Sequence, residues 1–232
     1  MTMEQKMPIL DLRFAFFFAN PPVNLKYDEF SVSLRRKNVF AHNNLDLQTF
    51  IFPIPSDAPA DFPRCQITSN DQNFELSITG ARCDLIFKHE NQENITLIFS
   101  DIIKEIKDLF EKENVEITRI GYITRHFQIH SNPEKIIKEK LLKLDEPDLS
   151  EPFLRFVFKT KFYNTLCNDN YQIEVGKQRD FVNGIENDVL LITQDFNTFP
   201  IEKMIITSDF LSSFLNEIPK EKLNRYITLL SE

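Results

Sequence analysis

Tryptophan is absent from this 232-residue chain, and glycine (4) and cysteine (3) are scarce. So few glycines leave little material for a Gly-rich phosphate loop or a glycine repeat, and no Walker or dinucleotide fingerprint occurs. Cys65, Cys83 and Cys167 are an odd number without C-x-x-C spacing or a neighbouring histidine pair, so they read as reduced thiols. Neither a G-x-S-x-G elbow nor an H-E-x-x-H sequence is present. Long hydrophobic runs are missing too. The first apolar stretch is interrupted by Asp11 and Arg13, and Glu4, Gln5 and Lys6 stand where a basic n-region would be, which argues against a signal peptide or a membrane span. Free thiols without an export signal lead to the expectation of a cytoplasmic protein. The Asn-, Lys-, Ile- and Phe-rich usage suggests an AT-rich bacterial genome.

What is abundant is phenylalanine, 23 residues in a chain that is 42% hydrophobic. A chain of this size buries about 70–75% of its surface on folding, which makes disorder untenable. The formal charge of -8 repels a polyanion at long range and argues against generic nucleic-acid binding, while leaving room for a local basic face.

Periodicity supplies the elements. Residues 9–19 alternate, with Leu10, Leu12, Phe14, Phe16 and Phe18 apolar, and Asn20-Pro21-Pro22 closes the strand. Residues 27–40 read as a second strand through Phe30, Val32 and Leu34, and the proline-rich 53–63 as an exposed connection. Strands at 64–69 and 74–79 flank a hairpin loop, and a third follows at 82–88. A helix capped by Ser100 shows an apolar stripe of Ile102, Ile103, Ile106, Leu109 and Phe110. The β-branched and aromatic run 115–130 reads as a central strand, and Asn132-Pro133-Glu134 as a helix start. Residues 153–163 place Leu154, Phe156, Phe158 and Phe162 on one side and Arg155, Lys159 and Lys161 on the other. A loop at 164–170 then leads to a strand at 171–177, a turn at Asn183-Gly184 precedes another at 188–196, and helices begin at Ser208 and after Pro219. Strands joined by short turns with helices late in each half predict an α+β fold: an antiparallel or mixed sheet covered on one face by helices. The expected organisation is one compact unit over 1–232, divisible into lobes 1–114 and 115–232.

Four stretches together resemble a sporadically distributed family of uncharacterised bacterial proteins. They are the proline-led strand 8–16; the hairpin from Arg64 through Phe74 and Leu76 to Arg82 and Leu85; the helix running into Thr118-Arg119-Ile120-Gly121; and the terminal helices after an acidic-aromatic strand. In that family the Arg-hydrophobic-Gly step is usually followed by arginine, tyrosine and asparagine. Here Tyr122, Ile123, Thr124, Arg125 and His126 follow instead. The resemblance implies no particular activity.

Candidate chemistry is sparse. His126 and His130 share a strand face but stand about 13 Å apart at ~3.3 Å per residue, too far for one metal ion. Asp46, Asp57, Asp61 and Asp71 lie where turns use aspartate. Cys65 and Cys83 fall in strand patterns, whereas Cys167 falls in a polar loop and is the one accessible thiol expected. No catalytic residue, metal site or cofactor is assigned, and enzymatic activity is left open. The sharper signal is cationic: Arg119 and Arg125 share one face of their strand, and Arg155, Lys159 and Lys161 share the polar face of another. Lys177 and Arg179 follow on its hairpin partner, with Glu174 and Asp180 as candidate ion-pair partners. These five strand cations, Arg119 through Lys161, are the expected binding residues of a non-enzymatic accessory protein with a protein partner and no membrane contact. The alternatives are a nucleic-acid-binding module on the same face and a metal-dependent hydrolase or nuclease.

Overall fold

Strict alternation decides β1 (Ile9–Phe18): Leu12, Phe14, Phe16 and Phe18 point one way and are all buried. The computed structural model describes residues 7–53, 58–89, 93–144, 146, 148–179, 184, 186–200 and 204–231. Eight further strands follow: β2 (Leu47–Ile51), β3 (Cys65–Ser69), β4 (Phe74–Ile78), β5 (Arg82–Phe87), β6 (Ile117–Ile129), β7 (Phe153–Phe162), β8 (Thr165–Arg179) and β9 (Glu186–Thr198). All join one sheet in the order β2-β3-β4-β5-β1-β6-β9-β8-β7, and every pairing is antiparallel. Because β1 bonds to both β5 and β6, strands from the two expected lobes meet in one continuous ladder.

The helices are α1 (Tyr27–Arg35), α2 (Asn38–His42), α3 (Ile95–Lys112), α4 (Pro133–Ile136), which widens into a π-turn (Ile137–Leu142), α5 (Ser208–Asn216) and α6 (Glu221–Ser231). They lie on one side of the sheet. Phe30, Phe40, Phe99, Phe110 and Phe214 from α1, α2, α3 and α5 close over β1 and β3 to β6. Phe110 is the hub, its ring 5.2 Å from Phe30, 5.4 Å from Phe18 and 5.7 Å from Phe16. Each such ring contributes about 1.5–3 kcal/mol by leaving water. A second apolar cluster sets Ile137, Leu223, Ile227 and Leu230 against Tyr171, Ile173, Leu190 and Ile192. Among the described residues, no helix is long and apolar enough to cross a membrane.

Several elements depart from the sequence reading. Residues 27–40 are helices, not a strand: α1 buries Phe30, Ser31 and Leu34, a helical spacing that the Phe30-Val32-Leu34 alternation disguised, while Val32 is exposed. The long helix begins five residues before Ser100, whose hydroxyl instead donates back to Thr96 O at 2.8 Å inside it. No loop separates β7 from β8. The turn is Tyr163-Asn164 alone, with Tyr163 at φ 51, and the polar run after it is paired strand. Strand β2 was not anticipated; in the proline-rich connection residues 54–57, and in the later turn Asn183, lie outside the described residues. The Asn132 cap is present, its side chain accepting from Lys135 N at 2.9 Å.

Candidate binding face

Directly paired residues of an antiparallel ladder point to the same side of a sheet. The row Phe14, Tyr122, Phe196, Asp169 and Phe158 runs across five strands on the helical side. The neighbouring rows therefore face the uncovered side: Gly121, Asn197, Asn168 and Lys159 in one, Arg125, Thr193, Gln172 and Arg155 in another. Arg119 and Lys161 have the same parity on β6 and β7. All five cations singled out from the sequence thus share one face, in two groups separated by three strand spacings, about 14 Å at ~4.8 Å each. Lys177 and Arg179 do not join them. Their parity on β8 sends them to the opposite side, where Lys177 Nζ lies 3.1 Å from Glu186; Asp180 is outside the described residues.

The two groups differ in what they are free to do. Arg125 is committed: its Nη1 donates to Asp11 Oδ2 at 2.9 Å, and Asp11, 2% exposed, also accepts from Arg13 Nε at 2.9 Å. Arg119 is committed as well, donating Nε to Thr198 O at 3.1 Å and Nη2 to Asn197 Oδ1 at 3.3 Å while lying 4.5 Å over the Phe17 ring. Arg155, Lys159 and Lys161 are exposed and make no ion pair or hydrogen bond among the described residues, Lys159 alone resting 5.7 Å from the Phe199 ring. They sit on the last strand of the sheet, interleaved with exposed Phe153 and Val157.

Between the groups lies an amide floor. Asn168 donates to Asn197 Oδ1 at 3.3 Å, Asn170 to Asp195 O at 3.2 Å, and Asn197 to Asp195 Oδ1 at 2.9 Å. Gly121 on β6 keeps this floor level, since a Cβ there would meet Asn197 Cβ at 3.3 Å. Burial raises the Asp195 carboxyl above the usual carboxylate range, against the opposing pull of the Asn197 bond and the positive charges of Arg119 and Arg155.

The helical side holds polar groups that sequence reasoning missed. Asp169, on the buried face of β8, accepts from Tyr171 OH at 3.0 Å and from Gln194 Nε2 at 2.9 Å, and Lys222 Nζ stands 3.7 Å away. Gln194 also donates to Pro219 O at 2.7 Å, which ties the start of α6 to the sheet. A carboxylate among Cys167, Tyr171 and Ile173 at period two is the signal that would have found it, had 164–170 been read as strand. Beside it a cleft of about 300 Å³ opens where the two apolar clusters part, with Tyr122, Thr124, His126 and Gln194 on its floor and Lys104 and Lys220 at its walls. Among the described residues neither a carboxylate nor a thiol lines it; its ionisable side chains are Lys104, Tyr122, His126 and Lys220.

His126 is buried with Nδ1 3.0 Å from Met7 O, and desolvation, aided by the charge of Lys220, holds its pKa below the ordinary value in spite of that contact. His130, its expected neighbour on the strand, receives Asn132 N at 3.0 Å on Nδ1 instead. Cys167 is fully buried in β8, which corrects its reading as the accessible thiol; burial pushes it to about 11, as it does Cys65. No cluster of three or more His, Cys, Asp or Glu side chains is poised to hold a metal among the described residues. Comparison with protein-family models and with curated proteins returns no match to this chain.

Proposed function

We propose that this protein is a binding or accessory module that recognises an acidic segment of a protein partner on the uncovered sheet face, at the β7 side. The observation that carries the reading is that Arg155, Lys159 and Lys161 stand exposed on an edge strand with no ion pair or hydrogen bond among the described residues. Isolated surface ion pairs contribute only about 0–1 kcal/mol each, so stability alone gives little reason to hold three cations there. Exposed Phe153 beside Arg155, and Val157 between Arg155 and Lys159, supply apolar contact of the kind found at the centre of protein interfaces. The net charge of -8 disfavours a long polyanion but tolerates a short acidic segment met locally.

The test is capture from host extract at low salt by the parent and by the Arg155→Glu/Lys159→Glu protein, with and without nuclease. Loss of a captured protein on charge reversal, with capture insensitive to nuclease, is the expected result. Retention of every partner by the reversed protein refutes the proposal, and nuclease-sensitive capture moves the assignment to a nucleic-acid backbone.

A further inference from the structure

The backbone of β7 is as informative as its side chains. The two-residue turn makes Phe162 and Thr165 the closing pair of the β7–β8 hairpin, and Leu166 O accepts from Phe199 N at 2.8 Å on the β9 side. Both main-chain groups of a strand residue point the same way, so the even-numbered residues of β7 bond to β8 and the odd-numbered ones point away from it. The outward set is Phe153, Arg155, Val157, Lys159 and Lys161. No strand lies beyond β7, and no further backbone bond reaches these five among the described residues. The residues that present the unpaired cations therefore also present the free donors and acceptors of the edge.

We infer that β7 takes up an extended acidic segment of another protein as an added antiparallel strand; this rests on the reading of the β7 face given above and specifies its geometry. A strand placed there sets alternate side chains opposite Arg155, Lys159 and Lys161, where carboxylates form favourable cross-strand pairs. Its other side chains fall beside Leu154, Phe156 and Phe158, which are half-buried along the edge and call for apolar partners. The occupant is thus an alternating acidic and apolar β-strand whose main chain supplies affinity and whose carboxylates supply selectivity. A second copy of this chain fits poorly. A two-fold pairing centred on Val157 sets Arg155 against Lys159 twice, and like charges directly opposite are destabilising. Edge lysines of this kind deter self-pairing while leaving an acidic strand welcome.

The probe is an acetylated peptide of alternating Glu and Val, matched in length to the 10 residues of β7. Two derivatives carry N-methyl groups, one on the Glu amides, which face β7 in the added strand, and one on the Val amides, which face outward. The expected result is binding of the parent and Val-methylated peptides, loss of binding by the Glu-methylated one, and slowed hydrogen exchange at the five outward amides. The Arg155→Glu/Lys159→Glu protein should bind the parent peptide at least about tenfold more weakly. Val157→Pro provides a second route, because a proline whose missing N–H would face solvent is tolerated on an edge strand and blocks docking there. If the Glu-methylated peptide binds as well as the parent, or the outward amides are not slowed, strand addition is wrong. A loss confined to the charge-reversed protein then leaves the electrostatic face intact. Equal binding by the charge-reversed protein overturns both. Concentration-dependent slowing of the same amides without peptide overturns the inference in favour of self-pairing.

Discussion

Reversing the five face cations one group at a time should split them sharply by stability. Arg125→Glu removes one of two guanidinium partners from Asp11, which is 2% exposed, and sets a second carboxylate at a position that now reaches it at 2.9 Å. Removing one partner of a fully buried pair costs about 3–5 kcal/mol. Arg125 retains 25% side-chain exposure and Arg13 still pairs with Asp11, so part of that cost is screened by water. A loss of about 2–3 kcal/mol follows. Arg119→Glu gives up two hydrogen bonds and the stacking on Phe17, for about 1–2 kcal/mol. The β7 reversals Arg155→Glu and Lys159→Glu break no ion pair or hydrogen bond, giving up only the 5.7 Å contact of Lys159 with the Phe199 ring and the pull of Arg155 on Asp195, and should each stay within about 0.5 kcal/mol. Urea unfolding of the variants at constant m reads these differences as shifts in midpoint. If the β7 double reversal destabilises as much as Arg125→Glu, the β7 cations are structural, and the division between committed and available charges collapses.

Phe162→Ala should cost about 3–5 kcal/mol in the same assay, because the ring is buried among Phe196, Phe210 and Phe214 at 5.8–6.2 Å. Phe158→Ala should cost only about 1–2 kcal/mol, since that ring is half-buried beneath Lys222 at 4.5 Å; equal losses would show that the edge is covered more than it is here. Cys65, Cys83 and Cys167 are all buried and raised, so the native protein should be inert to an aromatic disulfide reagent at pH 8 and titrate fully once unfolded; one fast native thiol contradicts this. His126 is held below its ordinary 6.5, so the unfolded chain takes up that proton first as pH falls. Its contribution is complete above the unfolded pKa and declines below it toward the folded one, and His126→Gln should flatten that part of the stability–pH curve.

Long, periodic segments were legible because one buried face imposes one spacing: β1, the β3–β4 hairpin and β7 alternate as their burial requires, whereas β6, whose burial does not alternate, was legible from its β-branched and aromatic content. Where two spacings agree over a few residues, pattern cannot choose between them. Phe30 and Leu34 are four apart, which suits a helix face and a strand face equally, and only the packing of α1 against α3 and β2 settles the matter. Composition misled at 164–170. Asn, Asp and Thr there signal a loop, yet all four of Thr165, Asn168, Asp169 and Asn170 are ladder residues: the amides of Asn168 and Asn170 serve the uncovered face, and Asp169 bonds within the covered one. The cations on β6 and β7 could each be assigned a face of their own strand, but whether those faces coincide depends on β9 and β8 between them. That is a property of strand order, which no local pattern encodes.

The amide floor explains why recognition on this face should concentrate at its edge. Asn170 and Asn197 are nearly inaccessible although none of the described helices lies on their side of the sheet, and hydrogen bonds within the floor already satisfy them. A partner laid across the floor would exchange those bonds for equivalent ones and gain little, because the net worth of a hydrogen bond is the difference between two satisfied states. Arg119 and Arg125 would likewise have to surrender internal partners before meeting a ligand. Among the described residues of this face, the β7 cations are free of ion pairs and hydrogen bonds and stand on a strand with main-chain groups outside the ladder, so a partner's added contacts there displace mainly water. The committed cations then serve a different purpose. They fasten β6 to β1 and β9, holding rigid the sheet on which the available edge is displayed.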